Sequence, residues 1–131
     1  MINTSSIEAL RARFSTDEWP EFLALQQNDL AITIHLSIPK SLQWFSGHFP
    51  ENPILPGVVQ THWACELSKL LFAVTTPFEK ITRLRFKTIV LPDAKLTLLL
   101  ENKLDLKHVA FLYTCNEAVI SSGNVKFKEA T

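Results

Sequence analysis

Two of the chain's three glycines and three of its seven prolines fall in one stretch, Trp44-Phe45-Ser46-Gly47-His48-Phe49-Pro50-Glu51-Asn52-Pro53-Ile54-Leu55-Pro56-Gly57. Proline fixes φ and removes a backbone donor, and glycine reaches geometries closed to other residues, so this stretch specifies one rigid path and presents His48 from it. The chain leaves that path as a helix. Val59, Trp63, Leu67, Leu70 and Val74 recur at helical spacing over residues 58–74, and Val58, Ala64, Leu71 and Phe72 widen the apolar surface beyond a single stripe. A helix with that much apolar surface needs a sheet to bury it.

The sheet is written on either side. Leu30, Ile32, Ile34, Leu36 and Ile38 alternate with Ala31, Thr33, His35 and Ser37, which predicts a strand over residues 30–38 ending at Pro39. Further strands are expected over residues 81–90, 95–104, 108–115 and 118–128, separated by Pro92-Asp93, Asp105-Leu106-Lys107 and Asn116-Glu117. Residues 6–14 read as a short amphipathic helix, and the mixed pattern around Trp19 and Pro20 assigns no element to the segment after that helix. The pattern is α+β, an antiparallel sheet wrapped round one long helix. At 131 residues and 47% hydrophobic, residues 1–131 are expected to form a single domain with its own core.

Thirteen basic and thirteen acidic side chains cancel, which argues against the broad cationic field of a nucleic-acid or anionic-membrane binder. No stretch approaches the roughly 18–20 apolar residues of a membrane span, and Met1-Ile2-Asn3-Thr4-Ser5-Ser6 has no basic and apolar leader pattern, so a cytoplasmic location is expected. Cys65 and Cys115 match no metal or redox spacing and are read as reduced packing residues. His35 and His108 lie on expected strands at no ligand-like spacing, so no metal site is expected.

Phe45-Ser46-Gly47-His48-Phe49-Pro50, followed by Asn52-Pro53-Ile54-Leu55-Pro56-Gly57-Val58-Val59, resembles the FabZ/FabA-type 3-hydroxyacyl-[acyl-carrier-protein] dehydratases of the hotdog fold. Arg85-Phe86-Lys87 and Val90-Leu91-Pro92-Asp93 support the likeness. The resemblance implies cofactor-free, metal-free dehydration of a (3R)-hydroxyacyl thioester on acyl carrier protein to the trans-2-enoyl thioester. His48 takes the family's catalytic base position, and the Gly57 N–H would polarise the thioester carbonyl at the helix N-terminus. Phe49 and Val58 would line the substrate, and Ile54, Leu55, Trp63 and Phe86 are either core or tunnel wall. The family assembles its site across a dimer, which implies a homodimer here.

The family's acid, Glu or Asp, stands five residues after the Pro-Gly glycine, and here that position is His62. An imidazole donates a proton as imidazolium or holds the hydroxyl through a neutral N–H. Glu66 follows one turn later and Lys69 continues the stripe. Glu66 either orients His62 and favours its protonated form, or supplies the acid itself, carboxylate and imidazole having exchanged places along the helix. Gly57-Val58-Val59-Gln60-Thr61-His62-Trp63 is most similar to the ApeI-type branch linked to aryl polyene biosynthesis. Two other readings stay open: a hotdog thioesterase using the same pocket, and a non-catalytic acyl-binding partner subunit. Arg83, Arg85 and Lys87, alternating with Leu84 and Phe86, form either an ordinary solvated face or a docking patch for the acidic carrier protein.

Overall fold

The protein is described by a computed structural model covering residues 7–46, 53–104 and 107–129. Helix α1 (Ile7–Arg13) leads into strands β1 (Glu21–Asn28) and β2 (Ala31–Ser37), a 3-10 turn (Gln43–Phe45) and the long helix α2 (Gly57–Leu71). Strands β3 (Phe78–Phe86), β4 (Lys95–Lys103), β5 (His108–Cys115) and β6 (Ala118–Phe127) complete the regular elements among the described residues. All six strands form one antiparallel sheet in the order β1-β2-β4-β5-β6-β3.

Alternation decides which face of the sheet meets α2. Ile32, Ile34 and Leu36 of β2, Leu96, Leu98 and Leu100 of β4, and Val109, Phe111 and Tyr113 of β5 are buried, with partly exposed residues between them. Trp63, Ala64 and Leu67 of α2 are fully buried in the same cluster. Two buried hydrogen bonds fasten helix to sheet: the Tyr113 hydroxyl donates to the Gln60 carbonyl at 2.8 Å, and the Ser121 hydroxyl to Gln60 Oε1 at 2.6 Å. Burial pushes the Tyr113 phenol well above its ordinary range, so it stays a donor. Gly123 serves close packing, because a Cβ there would lie 2.8 Å from the Phe111 ring.

The strand expected over residues 30–38 is β2, with Leu30 in the turn before it and Ile38 buried after it. Strand β1 was not legible, and a bulge is the reason. Its pairing with β2 slips between Phe22 and Ala24, so only Phe22 is buried and Leu23 faces outward. The Arg11 guanidinium donates twice to the Phe22 carbonyl, at 2.7 and 3.0 Å, tying α1 to that irregularity. Strand β3 occupies residues 78–86 instead of the expected 81–90. Ile120 bulges out of the β5–β6 ladder, and the Lys87 and Thr88 N–H groups converge on its one carbonyl, at 2.8 and 3.3 Å, which ends the pairing.

Helix α2 stops at Leu71, short of the expected Val74, in a Schellman turn. The Ala73 N–H bonds the Leu70 carbonyl, the Val74 N–H bonds that of Lys69, and Ala73 takes a left-handed φ of 54°. Alanine is strained there and glycine is not, so Ala73→Gly is expected to stabilise the fold by about 0.5–1 kcal/mol. A thermal melt should show a rise of roughly 2–5 °C. Cys65 is buried on α2, and its thiol is pushed up to about 11 by burial and by Glu66, against a smaller opposing pull from Lys69. Native protein treated with iodoacetamide at pH 8 should therefore be alkylated at the partly exposed Cys115 and spared at Cys65, as read by peptide mass spectrometry.

Candidate active site at the start of the long helix

Pro56, in extended conformation, caps α2, and its carbonyl accepts the Val59 and Gln60 N–H groups at 3.1 and 3.3 Å. The Gly57 and Val58 N–H groups donate to no described residue, leaving two polarised donors at the helix start. A Cβ on Gly57 would lie 2.7 Å from the Phe86 ring, so the ring rests on the bare face of the helix. The Leu55 N–H donates to the Val90 carbonyl at 2.9 Å, which fastens the approach to α2 against the segment after β3.

His62 lies on the second turn of α2, on its exposed face, and makes no hydrogen bond or ion pair among the described residues. Glu66 and Lys69 lie further along the helix, half-buried. Glu66 makes no hydrogen bond or ion pair with His62, although the spacing allows one. The contact that His62 does make comes from another part of the chain: its ring centroid is 5.4 Å from that of Trp19, with 35° between the planes. Trp19 packs on Phe14 at 4.1 Å and stacks toward Trp63 at 6.5 Å. Beside it, the Glu18 carbonyl accepts the indole N–H groups of both Trp44 and Trp63, each at 2.9 Å. Nothing in the one-dimensional pattern pointed to Trp19, which lies 43 residues from His62 (62 − 19).

His48 and Phe49 lie outside the described residues. Trp44 and Phe45, which precede them, are fixed: Trp44 by Glu18, and Phe45 by burial and a bond to the Leu42 carbonyl. A cavity of about 590 Å³ flanks the site, lined by Phe14, Trp19, Phe22 and Leu42 with Arg11 and Asp17. It shares Trp19 with the His62 site and includes neither His62 nor Gly57. Val58, at 73% exposure, projects outward with Leu84, Phe86, Ile89 and Leu91 also exposed.

The three cations of β3 do not simply alternate. A bulge lies between Thr82 and Arg85, Arg83 takes a φ of 53°, and Lys87 falls past the strand's end. Arg83 and Arg85 still share a cavity of about 330 Å³ with Ala110, Leu112, Ser122 and Asn124. His35 Nδ1 lies 3.3 Å from Thr97 Oγ1 across β2 and β4. Among the described residues no group of histidine, cysteine and carboxylate side chains could hold a metal, and no helix is long and apolar enough to cross a membrane.

A family model described as ApeI-like, ApeI dehydratase, matches residues 24–124. The chain is 42% identical over 65 residues to the 3-hydroxyacyl-[acyl-carrier-protein] dehydratase FabZ of Clostridium beijerinckii, covering 44% of this chain and 46% of that one. It is 31% identical over 94 residues to the FabZ of Ruminiclostridium cellulolyticum, covering 64% and 66%. The chain thus spans between about half and two thirds of the length of these curated relatives. Among solved structures, the dehydratase heterocomplex ApeI:P from Xenorhabdus doucetiae superposes with a TM-score of 0.79 at 28% identity, over 85% of this chain and 99% of that one. A single antiparallel sheet packed on one long helix, the Pro-Gly helix start and the match over residues 24–124 agree: the chain belongs to the ApeI-like dehydratase family and has the hotdog fold.

Proposed function

We propose that the protein dehydrates (3R)-hydroxyacyl thioesters carried on acyl carrier protein to trans-2-enoyl thioesters. His48 takes the C2 proton, the C3–oxygen bond breaks, and His62 delivers a proton to the departing hydroxyl, which leaves as water. The electron pair of the broken C2–H bond becomes the π bond between C2 and C3 as the C3–O pair leaves with oxygen, so the balance needs no oxidant, metal or cofactor. The free Gly57 N–H holds the thioester oxygen as negative charge develops on it. Val58 and Phe49 line the acyl group, and Phe86 swings off Gly57 to admit the thioester.

The observation that carries this reading is His62 itself. An imidazole stands at the family's acid position, one and a half turns along from two undonated N–H groups, with both ring nitrogens unengaged among the described residues. Glu66, which makes no hydrogen bond or ion pair with His62, is the alternative donor. Fatty-acid or aryl-polyene synthesis in the cytoplasm is the setting the family suggests.

Strand β3 is an edge strand, paired with β6 alone, and carries exposed Leu84 and Phe86 beside the helix start. Exposed apolar side chains on an unpaired edge, between the charges of Glu79, Lys80, Arg83 and Arg85, fit a partner strand. A second copy of the chain on β3 would bring its own loop histidine toward α2. The Xenorhabdus relative is part of a heterocomplex, which supports a second reading: a subunit that acts only beside a different dehydratase chain.

Purified full-length protein should raise enoyl absorbance from a 3-hydroxybutyryl thioester without releasing free thiol, and should scatter light as a dimer. His48→Ala is expected to lower the rate at least about 100-fold in a protein that still melts cooperatively. An unchanged rate in that variant rejects the mechanism. Thiol release without enoyl product would mark a thioesterase, and an inert chain activated by His62→Glu would mark a non-catalytic partner.

A further inference from the structure

His62 has two side-chain torsions and, on an exposed helix face, several rotamers open to it. No hydrogen bond among the described residues selects one, and Glu66 makes no ion pair with it. The Trp19 ring does lie against it, 5.4 Å between centroids. A tilted ring contact of this kind packs against the imidazole without a hydrogen bond to either ring nitrogen, leaving both free to meet a substrate.

Trp19 is suited to that task because it is itself held. Phe14 packs against it at 4.1 Å, and the preceding Glu18 carbonyl is clamped by the Trp63 indole of α2 and the Trp44 indole of the segment leading to the His48 loop. The turn that carries Trp19 is thereby referenced to the helix that carries His62 and to the 3-10 turn at Gln43–Phe45. We propose that Trp19 is the positioning residue for His62, fixing the imidazole plane through this tilted ring contact so that a ring nitrogen faces the leaving hydroxyl. This rests on the assignment of His62 to the proton-transfer step made above.

The test compares Trp19→Leu, Trp19→Phe and His62→Gln in the full chain, singly and combined, with the same hydroxyacyl thioester. Trp19→Leu should lower kcat about tenfold or more while KM stays within about twofold, because misorientation costs the transition state more than binding. Trp19→Phe keeps a ring face and should recover most of the loss. In the His62→Gln background, Trp19→Leu should have no further effect, since a residue acting through His62 has nothing left to position. The His62 ring-proton resonances should also move in Trp19→Leu as the indole ring current is lost. The proposal is overturned if Trp19→Leu keeps the wild-type kcat, if it slows His62→Gln by the factor it slows wild type, or if those resonances stay put. Should Trp19→Leu melt too low to assay, Trp19→Phe against its His62→Gln double variant decides the same question through the same coupling. Failure of the underlying assignment looks different: His62→Gln then dehydrates at the wild-type rate, whereas a slow His62→Gln with a fast Trp19→Leu removes only the positioning role.

Discussion

Trp63 is the side chain on which the geometry depends. It is fully buried in the middle of α2, so its ring alone removes on the order of 200 Å² from water, worth several kcal/mol at about 25 cal/mol per Å². Burial of an indole also demands a partner for its N–H, and the partner is the Glu18 carbonyl. That one requirement draws the turn before β1 onto the helix. Trp44 donates to the same oxygen, so the segment entering the His48 loop is registered against the same point. Core packing and site geometry are thus one set of contacts.

The sequence was most readable where a single face of a strand met the core. In β2 and β5 the two-residue period in the sequence is the period of burial, and the boundaries agree with it. It was least readable where bulges intervene. Leu23 interrupts β1, Ile120 interrupts β6 and thereby ends β3, and the Thr82–Arg85 irregularity breaks the alternation of the β3 cations. A bulge inserts one residue into the period, and no composition signal marks these three. The C-terminus of α2 was hidden for a related reason: the usual glycine of a Schellman turn is replaced by Ala73, so the apolar rhythm ran on past the true end.

At the site, the described ring contact of His62 is with a residue that spacing did not name. Residues four apart on a helix face one another, which made Glu66 the natural partner, yet the ring lies against Trp19. An i,i+4 pair on a half-exposed helix gains only a few tenths of a kcal/mol and is easily outcompeted by an aromatic surface already held in place. The motif positions read correctly as a helix start, with Gly57 as the first helical residue and its N–H undonated. The motif did not reveal Phe86 on the bare face of Gly57, a contact made by a strand 29 residues downstream (86 − 57).

Phe86 joins two features that otherwise look separate. It belongs to β3, whose outer edge has no strand beside it among the described residues, and its half-exposed ring touches the helix start where the thioester is proposed to bind. An edge strand left bare invites association through its unpaired N–H and C=O groups, even with charged side chains such as Glu79, Lys80, Arg83 and Arg85 along it. Here Val58 of the helix, Leu84 and Phe86 of the edge, and Ile89 and Leu91 after it are all exposed together. A chain docking on β3 would therefore contact the wall of the site itself.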